Sequence, residues 1–238
     1  MSANPAKATI VLVHGAFADA SGFAGVIREL QSADCAVYAP PNPERGLAFD
    51  ADSLKPFVAA IDGPVVLVGH SYGGAVITQA SAGLPNVAGL VYLAGFGLDA
   101  GESVAAVQAP FAPPLLAVNA RATPYDAVGA AGGPDLYIDS KTFRETFCAD
   151  LPVDVAAVMA VSQRPVAAAT LNENCTAAGW NSIPSWYLVS AEDNAINPDA
   201  ERFMAQRMGA TTETVQGSHV AFISHPVETA AFILSSLS

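Results

Sequence analysis

Short continuous apolar runs alternate along this chain with longer stretches in which apolar residues recur every three or four positions. Thr9-Ile10-Val11-Leu12-Val13 has the pattern of a parallel strand covered on both faces. From Ser21 to Ala33, Phe23, Val26, Ile27 and Leu30 fall at helical spacing, with Ser21 placed to cap. Ala36-Val37-Tyr38-Ala39 predicts a second strand, closed by Pro40 and Pro41, and a helix is expected near Asp50 to Ile61. The run Val65-Val66-Leu67-Val68 is the third strand, and Ala75 to Ala80 has no breaker and continues as a helix. Ala88 to Leu93 and Ser185 to Ser190 are further strands. A helix from Pro198 to Met208, a strand from Thr211 to Val215 and a helix from Pro226 to Leu237 complete the pattern. Repetition of this βαβ kind predicts an α/β fold of about six parallel strands with right-handed crossovers.

The rhythm breaks between about Gly95 and Ser182. That segment is rich in Ala and Pro, shows helical stretches at 140–147 and 153–162, and contains no legible strand. Phe111, Leu115, Tyr137, Phe143, Phe147 and Met159 make it too apolar for a solvated tether. It reads as a helical cap over the carboxyl edge of the sheet, where open α/β sheets hold their ligands. The expected organisation is one domain over 1–238, with a core of about 1–95 and 183–238 and a cap of about 96–182.

Composition narrows the function classes. With 52% apolar and 13% charged residues, 238 residues suffice for one large core. A net charge of −12 makes nucleic acid and anionic membrane improbable partners, because the electrostatic contribution would be repulsive. No apolar stretch approaches the roughly 20 residues that span a bilayer, and Met1 to Ala8 lacks a signal-peptide core, so a cytoplasmic monomer or homodimer is expected. Cys35, Cys148 and Cys175 have no metal-ligand spacing and read as buried or half-buried thiols; no metal and no cofactor is expected.

The candidate chemistry sits directly behind the third strand. Gly69-His70-Ser71-Tyr72-Gly73-Gly74 matches G-x-S-x-G in a strand-turn-helix setting, which pushes the Ser71 hydroxyl out of the sheet. Side chains at 69, 73 and 74 would collide with neighbouring backbone in such a turn. A serine hydroxyl needs a base. Of four histidines, His14 ends the first strand and His70 lies in the turn, expected to point away from the site. His225 precedes Pro226 at the entry to the last helix. His219, in the loop Gly217-Ser218-His219 at the carboxyl edge, is favoured. The acid that fixes its tautomer should follow a core strand between 71 and 219; Asp193 is favoured over Glu192, with Asp99 a weaker alternative. An oxyanion needs two N–H donors. Tyr72 supplies one backbone amide, and the loop His14-Gly15-Ala16-Phe17 supplies the other through Ala16, with Phe17 as fallback. Phe17 and Phe96 are expected to contact substrate.

These motifs together resemble the α/β-hydrolase superfamily. Within it the chain is similar, over nearly its whole length, to small bacterial hydrolases related to plant methyl esterases and hydroxynitrile lyases. The resemblance implies an α/β-hydrolase fold with a cap inserted before the acid-bearing strand, the triad Ser71, Asp193 and His219, and oxyanion amides at Ala16 and Tyr72. It departs from the lyases, which carry Thr at the position of Gly15 and Lys at that of Val220. A dehalogenase or epoxide hydrolase of this fold would use an aspartate where Ser71 stands. The resulting expectation is a cofactor-free serine esterase acting on a small or medium carboxylic ester. The alternatives are a noncatalytic small-molecule-binding protein on the same fold, or a lactone or carbon-carbon bond hydrolase. Arg121, Arg144 and Arg164 are candidate carboxylate contacts that suit solvated surface positions better.

Overall fold

The computed structural model describes residues 8–125 and 133–237. Residues 1–7, from the amino-terminal stretch read for a signal core, and residues 126–132 of the cap lie outside them.

Each apolar run forms a strand, and each intervening amphipathic stretch covers the sheet. In chain order these are β1 (Thr9–Val13), α1 (Ala24–Ser32, entered by a 3-10 turn over Ala20–Phe23), β2 (Val37–Tyr38), α2 (Leu47–Ala59), β3 (Val65–His70), α3 (Tyr72–Ser81) and β4 (Val87–Leu93). The cap supplies α4 (Val104–Gln108), α5 (Leu116–Asn119), β5 (Ala120–Thr123), β6 (Asp135–Ile138), α6 (Phe143–Phe147), α7 (Val153–Val161) and β7 (Val166–Ala167). The core resumes with β8 (Ser185–Ser190), α8 (Pro198–Arg207), β9 (Thr211–Val215), α9 (Ala221–Ser224) and α10 (Pro226–Ser235).

Six strands form one sheet in the order β2-β1-β3-β4-β8-β9, and every pairing within it is parallel. β1 and β3 are buried along their whole length, as their unbroken apolar runs require. From β1 the chain moves outward to β2, then returns across β1 to β3 and proceeds the other way. The strand order therefore reverses between β1 and β3, the position where open α/β sheets leave a crevice at their carboxyl ends. Val13 pairs with Gly69, so the loop after β1 and the turn after β3 emerge side by side.

The helix after that turn packs closely against the end of β1. A Cβ on Gly73 would collide with the carbonyl oxygen of Val13, so α3 can lie against the end of β1 only with glycine there.

One expectation is corrected. The segment read as free of strands holds a three-stranded antiparallel sheet, β5-β6-β7. Its signal was absent for physical reasons: β5 is largely exposed and lacks apolar alternation, and β7 is two residues long. The cap is also hydrogen-bonded to the core. Ala167 N–H donates to Glu44 C=O at 3.0 Å, Leu116 N–H to Asn194 C=O at 3.2 Å, and Asn194 Nδ2 to Glu145 C=O at 3.0 Å. Among the described residues no helix is long and apolar enough to cross a membrane.

Candidate active site

Ser71 joins β3 to α3 at φ 52° and ψ −124°, a backbone conformation L-residues adopt only when the surroundings impose it. The surroundings here are specific. Ser71 N–H donates to Leu93 C=O at 3.2 Å, while its carbonyl accepts from Gly74 N–H at 2.9 Å and Phe96 N–H at 3.0 Å. Gly15 lies so close that a Cβ on it would stand 2.6 Å from Ser71 Cβ and 2.8 Å from the His70 carbonyl oxygen. The loop after β1 thus abuts Ser71, with Phe17 held at φ 65° in the left-handed region.

Asp193 and His219 meet directly. Asp193 Oδ2 lies 2.5 Å from His219 Nδ1, and both residues are buried, at 5% and 1% exposure. The other carboxylate oxygen accepts from Ala195 N–H at 2.6 Å and Ile196 N–H at 2.9 Å, so the loop after β8 turns around the carboxylate and fixes it. Glu192 is exposed, and Asp99 accepts from Ala100 N–H in a surface turn. His225 begins α10, with Nδ1 3.1 Å from the Glu228 carboxylate.

The amides expected to face an oxyanion are free to do so. Tyr72 is the first residue of α3, where a helical N–H has no partner within its own helix. Ala16 N–H donates to no described residue. The Tyr72 side chain is anchored separately, its hydroxyl donating to Asp50 Oδ2 of α2 at 2.7 Å. The structure therefore groups the Ala16 and Tyr72 loops with Ser71, and pairs Asp193 with His219. Among the described residues no hydrogen bond joins the Ser71 hydroxyl to His219; such bonds are commonly long without substrate.

His70 was expected to point away, and this is corrected. Its Nε2–H donates to the His219 carbonyl at 2.9 Å, and the two rings stand 4.6 Å apart. Burial, reinforced by neighbouring His219, holds its pKa well below the ordinary histidine value, so it stays neutral behind the candidate base. Phe147 of α6 covers His219 from the cap, with centroids 5.0 Å apart, and meets Phe17 edge-on at 6.3 Å. Sequence spacing could not have found these contacts, because they join segments about 70 to 150 residues apart.

Three further acids went unremarked in the sequence, Asp150 exposed and Glu201 and Glu44 buried. Asp150 accepts hydrogen bonds from Ser218 and Ser224. Its partial burial alone would raise its pKa, but the two hydroxyl bonds together with backbone hydrogen bonds outweigh it and hold the carboxyl below its ordinary value. Glu201 is fully buried, one oxygen accepting from Ser190 N–H at 3.1 Å, and burial together with adjacent Asp193 raises its pKa well above the usual range. Glu44, also fully buried, lies 3.3 Å from His14 Nδ1, and burial raises its pKa likewise.

Two cavities meet at Phe17. One, of about 590 Å³, lies beneath α4 and α5 and reaches Ala195 in the acid loop. The other, of about 460 Å³, lies between α1, α7 and α9 and reaches Val220, next to His219. Phe17 lines both. Phe96 lines neither; it reaches the site through the backbone bond to Ser71. Arg121 and Arg144 are exposed, and half-buried Arg164 approaches Glu44 at 4.0 Å, outside both cavities.

The family model described as the alpha/beta hydrolase family matches residues 10–232. The chain is similar to alpha/beta hydrolase nvfD of Aspergillus novofumigatus, at 26% identity covering 92% of each chain. It is also similar to methylesterase 8 of Arabidopsis thaliana, at 28% identity over 60% of this chain and 52% of that protein. In three dimensions it resembles the crystal structure of polyneuridine aldehyde esterase, with a TM-score of 0.82 at 19% identity, covering 96% of this chain and 98% of that one.

Proposed function

The chain belongs to the alpha/beta hydrolase family, and from that premise we propose that it is a serine esterase cleaving a small or medium carboxylic ester through an acyl-enzyme on Ser71. The observation that carries the reading is the buried 2.5 Å contact of Asp193 with His219, on the same sheet edge as the strained turn at Ser71.

In this mechanism Asp193 holds the His219 Nδ1 proton, leaving Nε2 to accept the proton of Ser71 Oγ as that oxygen attacks the ester carbonyl. The carbonyl π electrons move onto oxygen, and the amides of Ala16 and Tyr72 stabilise the resulting anion. Collapse of the intermediate expels the alkoxide, which takes the proton from His219 and leaves as alcohol. Water, deprotonated by His219, then attacks the acyl-enzyme and releases the acid and free Ser71. Two backbone bonds, from Ala195 and Ile196, hold the Asp193 carboxylate in place against the imidazole. The reaction needs no cofactor, because the chain's own groups supply nucleophile, base, acid and oxyanion donors. The same reading takes the chain as a single domain, core and cap acting together. A cytoplasmic location accords with three free cysteines, all buried.

The test is hydrolysis of p-nitrophenyl acetate and butyrate by the wild type beside Ser71→Ala. Turnover should fall on the order of 10⁴- to 10⁶-fold in the variant. Full activity in Ser71→Ala would refute the mechanism. No turnover by either protein, with tight retention of one ligand, would favour a noncatalytic binding protein.

A further inference from the structure

A second acid stands behind the Asp193–His219 contact. Glu201 lies in the first turn of α8 and is fully buried, and its Oε2 accepts at 3.1 Å from the N–H of Ser190, the last residue of β8. Its side chain therefore reaches back across the loop 191–197, which carries Asp193. The other oxygen, Oε1, is also buried and receives no hydrogen bond from any described N–H or hydroxyl. The Glu201 side chain is instead in hydrogen-bonding contact with that of Asp193.

Two carboxyl groups can share a hydrogen bond only if one of them carries a proton. Nothing nearby lifts that requirement. Arg202, the cation whose charge acts on Glu201, is exposed and bound to Asp199 at 2.9 Å. Tyr187 of β8, the other ionisable group whose charge couples to Glu201, is a phenol that burial keeps protonated. Like charges in buried contact do not both persist, so the pair holds one proton. Its location follows from the donors each acid receives. Asp193 accepts from His219 Nδ1 and from the amides of Ala195 and Ile196, leaving one of about four lone-pair sites open. Glu201 accepts from a single amide, and burial opposes its charge. The acid with fewer donors keeps the proton.

We propose that Glu201 is a positioning residue of the esterase site, a protonated carboxyl that donates to Asp193 while accepting from Ser190 N–H, and so fixes Asp193 against His219 without adding a second charge. The inference rests on the esterase reading and extends its machinery by one residue. Neutrality is what makes the arrangement useful. A second carboxylate behind Asp193 would stabilise the imidazolium, and His219 would then hold a proton at the pH where it must take one from Ser71. A neutral donor restrains the acid and leaves the base free.

The experiment compares the wild type with Glu201→Gln, which keeps an acceptor and a donor, and with Glu201→Met, which has similar length and neither. With p-nitrophenyl butyrate, Glu201→Met should lose about 10- to 100-fold in kcat with little change in KM, as for a base slightly displaced. Glu201→Gln should restore most of that loss. The acid limb of kcat/KM, which reports the base in the free enzyme, should have the same midpoint in Glu201→Gln as in the wild type. An ionised Glu201 would support the imidazolium, so its replacement by Gln would move that limb to lower pH and overturn the assignment. Infrared spectra without substrate need only the wild type and Glu201→Gln, and hold even if Glu201→Met fails to fold. At pH 7 the wild type should show a protonated-carboxyl C=O band that Glu201→Gln lacks. Loss of a carboxylate band instead, or full activity in Glu201→Met, would overturn the assignment. Loss of the protonated band in a protein that turns over no ester would support the proton on Glu201 and count against the esterase reading.

Discussion

Ser218, the residue before His219, donates its hydroxyl to the Asp150 carboxylate, so the loop carrying the candidate base is tied to the cap. Ser224 donates to the other oxygen of the same carboxylate at 2.6 Å. Asp150 thus holds both sides of a short chain segment, and Phe147, three residues earlier, covers the His219 ring. Asp150→Ala releases both hydroxyls and lets the loop drift. We expect a loss of about 10- to 100-fold in kcat/KM, as for a displacement near 1 Å. Asp150→Asn, which retains one acceptor, should recover part of it. Steady-state kinetics with p-nitrophenyl butyrate decides; equal activity in all three proteins would show that the loop holds its place unaided.

The turn at Ser71 stores backbone strain of about 1–3 kcal/mol. Ser71→Gly relieves it and Ser71→Ala does not, although glycine forfeits part of the gain through a freer unfolded chain, by about 0.5–1 kcal/mol. Both variants should lose activity, and thermal unfolding should find Ser71→Gly the more stable. The reverse order would mean that the turn carries no strain.

Gly73 leaves no room for a methyl group against the Val13 carbonyl. Gly73→Ala must push α3 away from β1, at a cost of about 2–4 kcal/mol. Urea denaturation should show the midpoint falling with little change in slope.

Glu201 gives a pH signature. Burial and the charge of Asp193, with Arg202 opposing them, hold its folded-state pKa well above that of the unfolded chain. A raised carboxyl contributes its full stability below the unfolded pKa and loses it progressively as pH rises toward the folded value. Glu201→Gln keeps an acceptor for Ser190 N–H and has no proton to lose. Its advantage over the wild type should therefore be greater at pH 8 than at pH 5 in urea titrations. An equal difference at both values would contradict the titration.

The sheet was legible because it is built from local signals. Val65 to Val68 and Tyr187 to Val189 are buried on both faces, and their unbroken apolar runs say so. That Asp193 would meet His219 was legible because each follows a strand at the carboxyl edge in the order the elbow pattern has them. What spacing could not convey was pairing across the fold. Nothing local marks Asp150 as the partner of Ser218, Glu201 as an acid whose pKa burial raises, or His70 as the support behind His219, since each property is created by segments that meet only after folding. The cap strands escaped notice because β5 presents an exposed face without the period-two alternation that identifies strands.

Asn42 N–H donates to His14 Nε2 at 2.9 Å, so the ring proton resides on Nδ1, which lies 3.0 Å from the Gly15 carbonyl oxygen and donates to it. That carbonyl and the Ala16 N–H belong to one planar trans peptide, in which the two bonds point in opposite directions. By holding the oxygen, the imidazole aims the nitrogen. Burial lowers the pKa of His14, and acquiring a second proton would set two donors against each other at Asn42. The tautomer is consequently locked across neutral pH, and the direction of the Ala16 backbone dipole, which the proposed mechanism turns on the ester carbonyl, is set by a ring buried behind it.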